Sequence, residues 1–320
     1  MSKFGFSSTA DEVLEGKDLS GRTFLVTGGY SGLGQETARA LAAKGAHIIL
    51  SGRDATKLAA AADEIATMTG ARVDTLVCDL ASLASIRAAG EEARTRFGHI
   101  DVLINNAGVM ASPLGRTADG FETQFGTNHL GHFALTRELM PLLEKGAAPR
   151  IVNLSSRGHH IAPVDFYDPN FTHRSYDPWL AYGQSKTANV LFAVGLEQRF
   201  GGKGIHAYAL HPGGIHTNLG RHMSEADMAA LVERIRKNAE KTGEKPQPFK
   251  TIPQGAATTC WVATAEELEG RGGLYAEDCN VAKEDDASST GGVRSYALDK
   301  GNADRLWALS EQLVGEKFTA

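Results

Sequence analysis

"TFLVTGGYSGLGQETARALAAKG", residues 23–45, passes from an apolar run of β-forming residues through a glycine-rich turn into helical spacing. Residues 23–29 read as a buried strand, and Leu33, Thr37, Ala40 and Leu41 share one helical face. An apolar strand followed at once by a helix is the unit from which covered parallel sheets are made.

The alternation continues outward from there. "AHIILSG" (46–52) is a second strand, and "DATKLAAAADEIATMTG" (54–70) a helix with Asp54 as N-cap and Gly70 as its stop. "RVDTLVCDL" (72–80) and "IDVLINNAG" (100–108) give strands three and four around the helix "LASIRAAGEEARTRF" (83–97). A long helix covers roughly 118–144, "RIVNLSS" (150–156) is strand five, and a further helix carries Tyr182 and Lys186. "GIHAYALHPGG" (204–214) is strand six, and "GLYAE" (273–277) is a weaker strand. The pattern predicts an α/β chain: a single doubly wound Rossmann-type domain over residues 1–320, with about seven parallel strands and helices on both faces. Ligands of such folds bind beyond the carboxyl ends of the strands. Residues 1–20 read as an N-terminal extension. Two segments break the rhythm. Residues 157–179 are loop-like and aromatic, and 218–250, with "EADMAALVERIRKNAE" followed by "TGEKPQPFK", are expected to form a substrate-binding lid.

Composition sets outer bounds. With 42% hydrophobic and 22% charged residues the 320-residue chain is ordinary for a globular protein, and a net charge of −5 gives no reason to expect nucleic acid or an anionic membrane as partner. Cys78, Cys260 and Cys279 are too few and too scattered for a disulfide framework or a zinc site, which suits a reducing compartment. The opening lacks the apolar core of a secretory leader, and no eighteen apolar residues run together. The expected location is cytoplasmic.

In the turn, Gly28, Gly32 and Gly34 depart from G-x-G-x-x-G spacing. The physical logic is retained: a tight backbone can approach a pyrophosphate, whose charge meets the free N–H groups and positive end of the next helix. A glycine-rich turn without a ligand is the competing reading. In "LSGRDATK" (50–57), Gly52 occupies the place where a carboxylate would bind a ribose hydroxyl, and Arg53 follows, with Lys57 near. A cation there favours NADP(H) and leaves NAD(H) open. Arg53 can equally be a solvated loop charge, and Asp54 either touches ribose or only caps its helix.

With the glycine turn, "CDL" (78–80), "NNAG" (105–108), "TNHLGHF" (127–133), "NLSS" (153–156), "YGQSK" (182–186) and "HPGGIHT" (211–217) in this order, the chain resembles the short-chain dehydrogenase/reductase family over about residues 20–280. "LAYGQSKTANVLF" and "HPGGIHTNLGRHM" are similar to the branch holding retinol dehydrogenases, the WW-domain oxidoreductase and protochlorophyllide-reductase-like enzymes. The resemblance implies that Tyr182 and Lys186 are the acid/base pair. It makes Ser156, rather than Ser155, the substrate-orienting serine, and Asn128 the organiser of a proton-relay water. It implies a cofactor lying along Gly28, Tyr30, Ser31, Gly32, Leu33, Gly34, Arg53, Asp79, Leu80, Asn105, Ala107, Gly108, Pro212, Gly213, Ile215 and Thr217, besides Tyr182 and Lys186. Asp79 would meet the adenine, and 212–217 the nicotinamide amide. The 26-position interval from Ser156 to Tyr182 is longer than in most of the family, so the substrate pocket cannot be copied from shorter relatives. Family members commonly form homodimers or homotetramers through helices corresponding to 118–144 and 180–200.

The chemistry needs these residue types. Reducing a ketone requires hydride at carbon and a proton at oxygen. A phenol titrates near pH 10, and a neighbouring ammonium together with an oxidised nicotinamide would favour phenolate and lower that value. Lys186 would also bind the nicotinamide ribose, and Ser156 would stabilise developing alkoxide charge. His129 with His132, and His159 with His160, lack a further ligand at metal spacing, so no metal is expected; they read as neutral packed histidines, as does His211. Phe166, Tyr167, Phe171, Tyr176 and Trp179 in one excursion, and Leu219, Met223, Met228, Leu231 and Ile235 in the other, would make a roomy apolar pocket if they close over the cleft. The alternative is that they pack against the sheet edge or a second subunit. The expected activity is NADP(H)-dependent interconversion of a lipophilic ketone or aldehyde and its alcohol. An NAD-preferring secondary alcohol dehydrogenase and a non-catalytic nucleotide sensor are the alternatives.

Overall fold

The computed structural model describes residues 2–318 except 221–228, 230, 231, 234, 235, 238, 239 and 246. Eight strands form one sheet: β1 (Thr23–Thr27), β2 (His47–Gly52), β3 (Val73–Val77), β4 (Val102–Asn105), β5 (Arg150–Leu154), β6 (His206–His211), β7 (Leu274–Glu277) and β8 (Asn280–Val281). Their order is β3-β2-β1-β4-β5-β6-β7-β8, and β1 to β7 are parallel. The seven strands read from sequence are all present. The eighth, antiparallel to β7, is only two residues long and carries no periodicity to read. β1 lies between β2 and β4, so successive connections leave in opposite directions and a crevice opens at that switch point.

Strand residues alternate between two cores. Leu25, Ile49, Leu103, Ile151 and Ala207 face one side, and Phe24, Ile48, Val102, Val152 and Tyr208 the other, all fully or almost fully buried. The second core is closed by α1 (Ala10–Val13), α2 (Gly32–Ala42) and α3 (Ala55–Thr69). The first core is closed mainly by α4 (Leu83–Arg96) and, after the three-residue α5 (Thr123–Phe125), by α6 (Gly131–Leu143) and α7 (Pro178–Phe200). The helix after β2 is capped as read: Asp54 accepts the Lys57 N–H at 3.0 Å, and Gly70 ends it at φ +71°. Asp54 is thus accounted for as a cap.

The helix expected over 118–144 differs in two ways. It starts at Thr123, because Gly120 turns at φ +85° and Gly120 N–H bonds Thr117 O. It is then widened by a π-turn at Gly126–Leu130, between α5 and α6. Such bulges often mark functional positions, and Asn128 sits inside this one.

The aromatic excursion mostly turns away from the crevice. Phe171 is buried against Tyr176, whose hydroxyl donates to Ser112 O at 2.9 Å, while Arg305 covers Phe166 and Tyr167 points to solvent. Of the two readings left open for this group, closure over the cleft holds for Trp179, whereas buried Gln124 and Ser112 O hold Tyr176, with Phe171 against it, on the 112–125 segment. Much of the proposed 218–250 lid, including Met223, Met228, Leu231 and Ile235, lies outside the described residues.

After β6, α8 (Ile252–Thr264) packs on α1 and α2. The short α9 (Ser295–Leu298) leads into α10 (Lys300–Val314), which lies along α7. Trp307 contacts Phe133, Phe192 and Phe200, and Phe318 completes the aromatic cluster. Each such ring buries about 150–250 Å², a gross stabilisation of roughly 4–6 kcal/mol at ~25 cal/mol per Å². α10 lies along α7, one of the two helices through which the family resemblance placed subunit pairing.

Candidate active site

One cleft of about 1110 Å³ runs past the carboxyl ends of β1 to β6. At one end lies the turn from β1 into α2. Ser31, the N-cap of α2, makes no side-chain cap bond, so the first N–H groups of that helix are left for a ligand. A Cβ on Gly34 would stand 2.5 Å from Gly28 O and 2.5 Å from Asn106 Nδ2, so a side chain there would force the turn open. Gly52 has an equally direct cause: its Cβ would lie 2.5 Å from the Tyr30 ring. The carboxylate that selects an unphosphorylated ribose has no room at this position, and exposed Arg53 and Lys57 line the cleft beside it. Asp79 and Leu80 border the same end. These residues fit a pyridine dinucleotide.

Deeper in, α7 brings Tyr182 and Lys186 against the end of β5. Tyr182 is buried, and its hydroxyl is hydrogen-bonded to Ser156. Ser156 Oγ also accepts the Gly158 N–H at 3.0 Å. Ser155 points elsewhere, donating to Lys186 O at 2.8 Å, which leaves Ser156 as the serine facing the phenol. Lys186 Nζ donates to Leu154 O at 3.1 Å and stands 5.7 Å from the centre of the Tyr182 ring. Asn128 does not reach the cleft surface. Its Nδ2 donates to Val109 O and Ser185 Oγ, both at 2.9 Å, and Oδ1 accepts the Val109 N–H at 2.8 Å. Ser185 Oγ in turn donates to Tyr182 O at 2.8 Å, so Asn128 ties the segment at Val109, just beyond β4, to α7. Gly108 lies in that clamp, where a Cβ would be 3.1 Å from Asn128 Oδ1 and 3.6 Å from Lys186 Nζ.

Burial governs the titrations. It pushes the Tyr182 phenol up to about 12, against the Ser156 hydrogen bond, and pushes Lys186 down to about 8. In the chain by itself burial, not the lysine, sets the direction for the phenol, since Nζ stands over the ring; the expected lowering also needs the oxidised nicotinamide. His129, His132 and His159 are neutral and packed, as read. Burial brings His129 and His159 down to about 3 and His132 to about 4. His129 bonds Ser310 Oγ at 2.7 Å. His132 Nδ1 donates to Asn128 O, and its Nε2 meets the Thr27 hydroxyl, both at 2.9 Å. Among the described residues no group of three or more metal-ligating side chains occurs.

Residues 22–228 match the family described as short chain dehydrogenase. The chain belongs to the short-chain dehydrogenase/reductase family. It is 44% identical over 294 residues to a probable oxidoreductase of Streptomyces lividans, covering 91% of this chain and 96% of that one. It is 40% identical over 302 residues to human retinol dehydrogenase 12, covering 94% and 88%. The crystal structure of an uncharacterized protein from Mycobacterium paratuberculosis superposes with a TM-score of 0.74 at 36% identity, covering 98% of this chain and 100% of that one. This dehydrogenase/reductase lies in the branch that holds retinol dehydrogenases, and it is an oxidoreductase acting on CH–OH groups with NAD(P). Among its described residues no helix is long and apolar enough to cross a membrane.

Within this family frame one expected cofactor residue is corrected. Asn105 closes β4 with its side chain in the sheet, donating to Asn153 Oδ1 at 2.8 Å and Thr136 Oγ1 at 3.2 Å. Its neighbour Asn106 lines the cleft instead and donates to Thr27 O at 2.7 Å. Strand alternation carried that signal, since successive side chains face opposite sides. The other expected cofactor residues all line the cleft: Gly28 to Gly34 on the turn, Ala107 and Gly108, and Pro212, Gly213, Ile215 and Thr217 after β6. Of the five excursion aromatics only Trp179 does so, edge-on to Tyr182. Met110, Ile161, Leu219 and Phe249 extend the apolar wall. Arg157 and Arg294, which no motif pointed out, line it too, and so does His211, which opens the "HPGGIHT" motif but reads from sequence only as a packed histidine.

Proposed function

We propose that this enzyme reduces a lipophilic ketone or aldehyde to its alcohol, and runs the reverse reaction, with NADP(H) as its preferred nucleotide. The observation that carries this reading is the buried Tyr182 hydroxyl, hydrogen-bonded to Ser156 with Lys186 beside its ring, in a cleft whose far end bears Arg53 and Lys57. The nucleotide, when bound, supplies or accepts the hydride. Tyr182 holds the proton at its phenolic oxygen: a group pushed up to about 12 stays protonated at neutral pH and is poised to donate to an oxygen gaining negative charge. Ser156 Oγ donates a hydrogen bond to that same oxygen and stabilises its charge. Lys186 fixes the Tyr182 ring against the end of β5 and offers its remaining donors to a ribose, and Asn128 holds α7 in register. Trp179, Met110, Ile161 and Leu219 exclude water around the reacting carbon. Tyr30 above Gly52, with Arg53 and Lys57 beside it, supports the phosphorylated nucleotide.

The test is Tyr182→Phe assayed on a panel of lipophilic ketones by loss of reduced-nucleotide absorbance. Turnover falls by about 10³-fold or more, while the NADPH dissociation constant stays within about twofold of wild type. Wild-type turnover in the variant removes the proposed chemistry.

A further inference from the structure

The cleft carries more positive charge than the nucleotide and the proton transfer use. Its lining includes Arg53, Lys57, Arg157, Lys186 and Arg294 against one carboxylate, Asp79. Arg53 and Lys57 stand at the phosphate end and Lys186 beside Tyr182. Arg157 and Arg294 remain. Arg294 donates to Asp285 O at 2.5 Å and Ser288 O at 2.8 Å, with the Asp285 and Asp286 carboxylates close enough to feel its charge. Arg157 ends on Gln247 Oε1 at 2.8 Å, and its Nε is buried without an acceptor. Neither arginine has an ion-pair partner among the described residues.

Next to Arg157 lies His211, at the carboxyl end of β6. It is only 8% exposed, yet neither ring nitrogen has a hydrogen-bond partner. Burial and the neighbouring Arg157 charge keep this ring neutral, so it offers one N–H donor. A buried ring with no partner for either nitrogen is unusual and calls for a physical explanation. The carboxylate opposite it in the strand register, Glu277, does not line the cleft; its Oε1 accepts the Gly292 N–H at 2.7 Å. Arg157 and His211 therefore line the cleft, while the acids that offset the Arg157 charge, Glu277, Asp278 and Glu244, do not.

We propose that the carbonyl substrate of this enzyme bears a carboxylate remote from its reducible carbon, seated by Arg157 and His211 at the end of the cleft opposite Arg53. This rests on the carbonyl-reductase reading above and narrows its substrate class to lipophilic oxo-acids. The guanidinium edge and one imidazole N–H match the two oxygens of a monoanion. The apolar wall of Met110, Ile161 and Trp179 accommodates the carbon skeleton between acid and carbonyl. Arg294 contributes field without giving up its loop contacts.

The experiment separates binding from turnover. Protein saturated with NADPH is titrated calorimetrically with 2-naphthoate and with 2-naphthamide, which share a shape, differ in charge and cannot be reduced. The carboxylate binds at least about 10-fold more tightly. Arg157→Met brings the ratio to about 1, and Arg157→Lys retains part of it. Equal affinities in the wild-type protein, or no measurable carboxylate binding, overturn the proposal, and that contrast needs no variant. A ratio unmoved by Arg157→Met overturns the seat assigned here. In parallel, reduction of 4-acetylbenzoate and 4-acetylbenzamide is followed. A retained binding contrast with neither ketone reduced counts against the carbonyl-reductase reading and leaves the anion seat standing; reduction of both with equal binding does the opposite.

Discussion

At the nucleotide end of the cleft, residues 28–34 come from one continuous turn, and their fit is decided by what is missing: no side chain on Gly34 or Gly52, no cap on the α2 N-terminus. At the other end, Arg157, His211 and Arg294 arrive from three segments far apart in sequence, and Arg157 Nε and both His211 ring nitrogens have no partner. The first end is a local backbone device and would serve any ligand with a pyrophosphate. The second is a tertiary device, and specificity for one substrate can reside there without touching the nucleotide.

That division can be broken by experiment. The largest effect is expected for Gly34→Ala, whose Cβ 2.5 Å from Gly28 O must displace backbone. Equilibrium titration should show NADPH and NADH weakened alike, by roughly 10- to 100-fold; discrimination between them would mean the turn does more than hold pyrophosphate. Arg53→Ala should cost NADPH about 10-fold or more and NADH less than about twofold, because only one of them presents a phosphate to the guanidinium. Equal losses would make Arg53 a mere loop charge. Smallest is a stability effect at the junction of the two ends. Lys186 titrates near 8 in the folded protein against 10.5 in its ordinary state, so the unfolded chain binds more protons between those values and folding stability rises with pH across them. Tyr182, raised to about 12, acts oppositely and only above about 10. Urea unfolding of nucleotide-free protein should therefore show wild type gaining on Lys186→Met from pH 8 to 10, by on the order of 1–3 kcal/mol. Parallel pH profiles would show that the ammonium is not desolvated.

How much could be read in advance follows the same division. β1, β2 and β4 were legible because strands covered on both faces are apolar nearly throughout, and the capped helix after β2 because Asp54 and Gly70 act within their own turn. The ordered motifs picked out Ser156, Tyr182 and Lys186, which the fold brings together, and Asn128, which supports them from behind. The π-turn around Asn128 was hidden, since one widened turn barely disturbs the apolar spacing. Aromatic content in 157–179 gave no direction: a tyrosine hydroxyl such as that of Tyr176 goes where a buried acceptor satisfies it, and that acceptor, Ser112 O, is 64 residues away. Arg157 and His211 had no spacing to betray them, because their meeting depends on β5 and β6 being neighbours in the sheet.

The aromatic seam beneath α10 has a bearing on biogenesis. Ribosomal synthesis delivers α6 and α7 more than a hundred residues before Trp307 and Phe318 emerge to cover them. Until then the nascent chain displays Phe133, Phe192 and Phe200 as a sticky stripe. A premature stop just upstream of residue 300 would leave the nucleotide turn and Tyr182 intact while making the truncated product prone to clumping and proteolytic clearance.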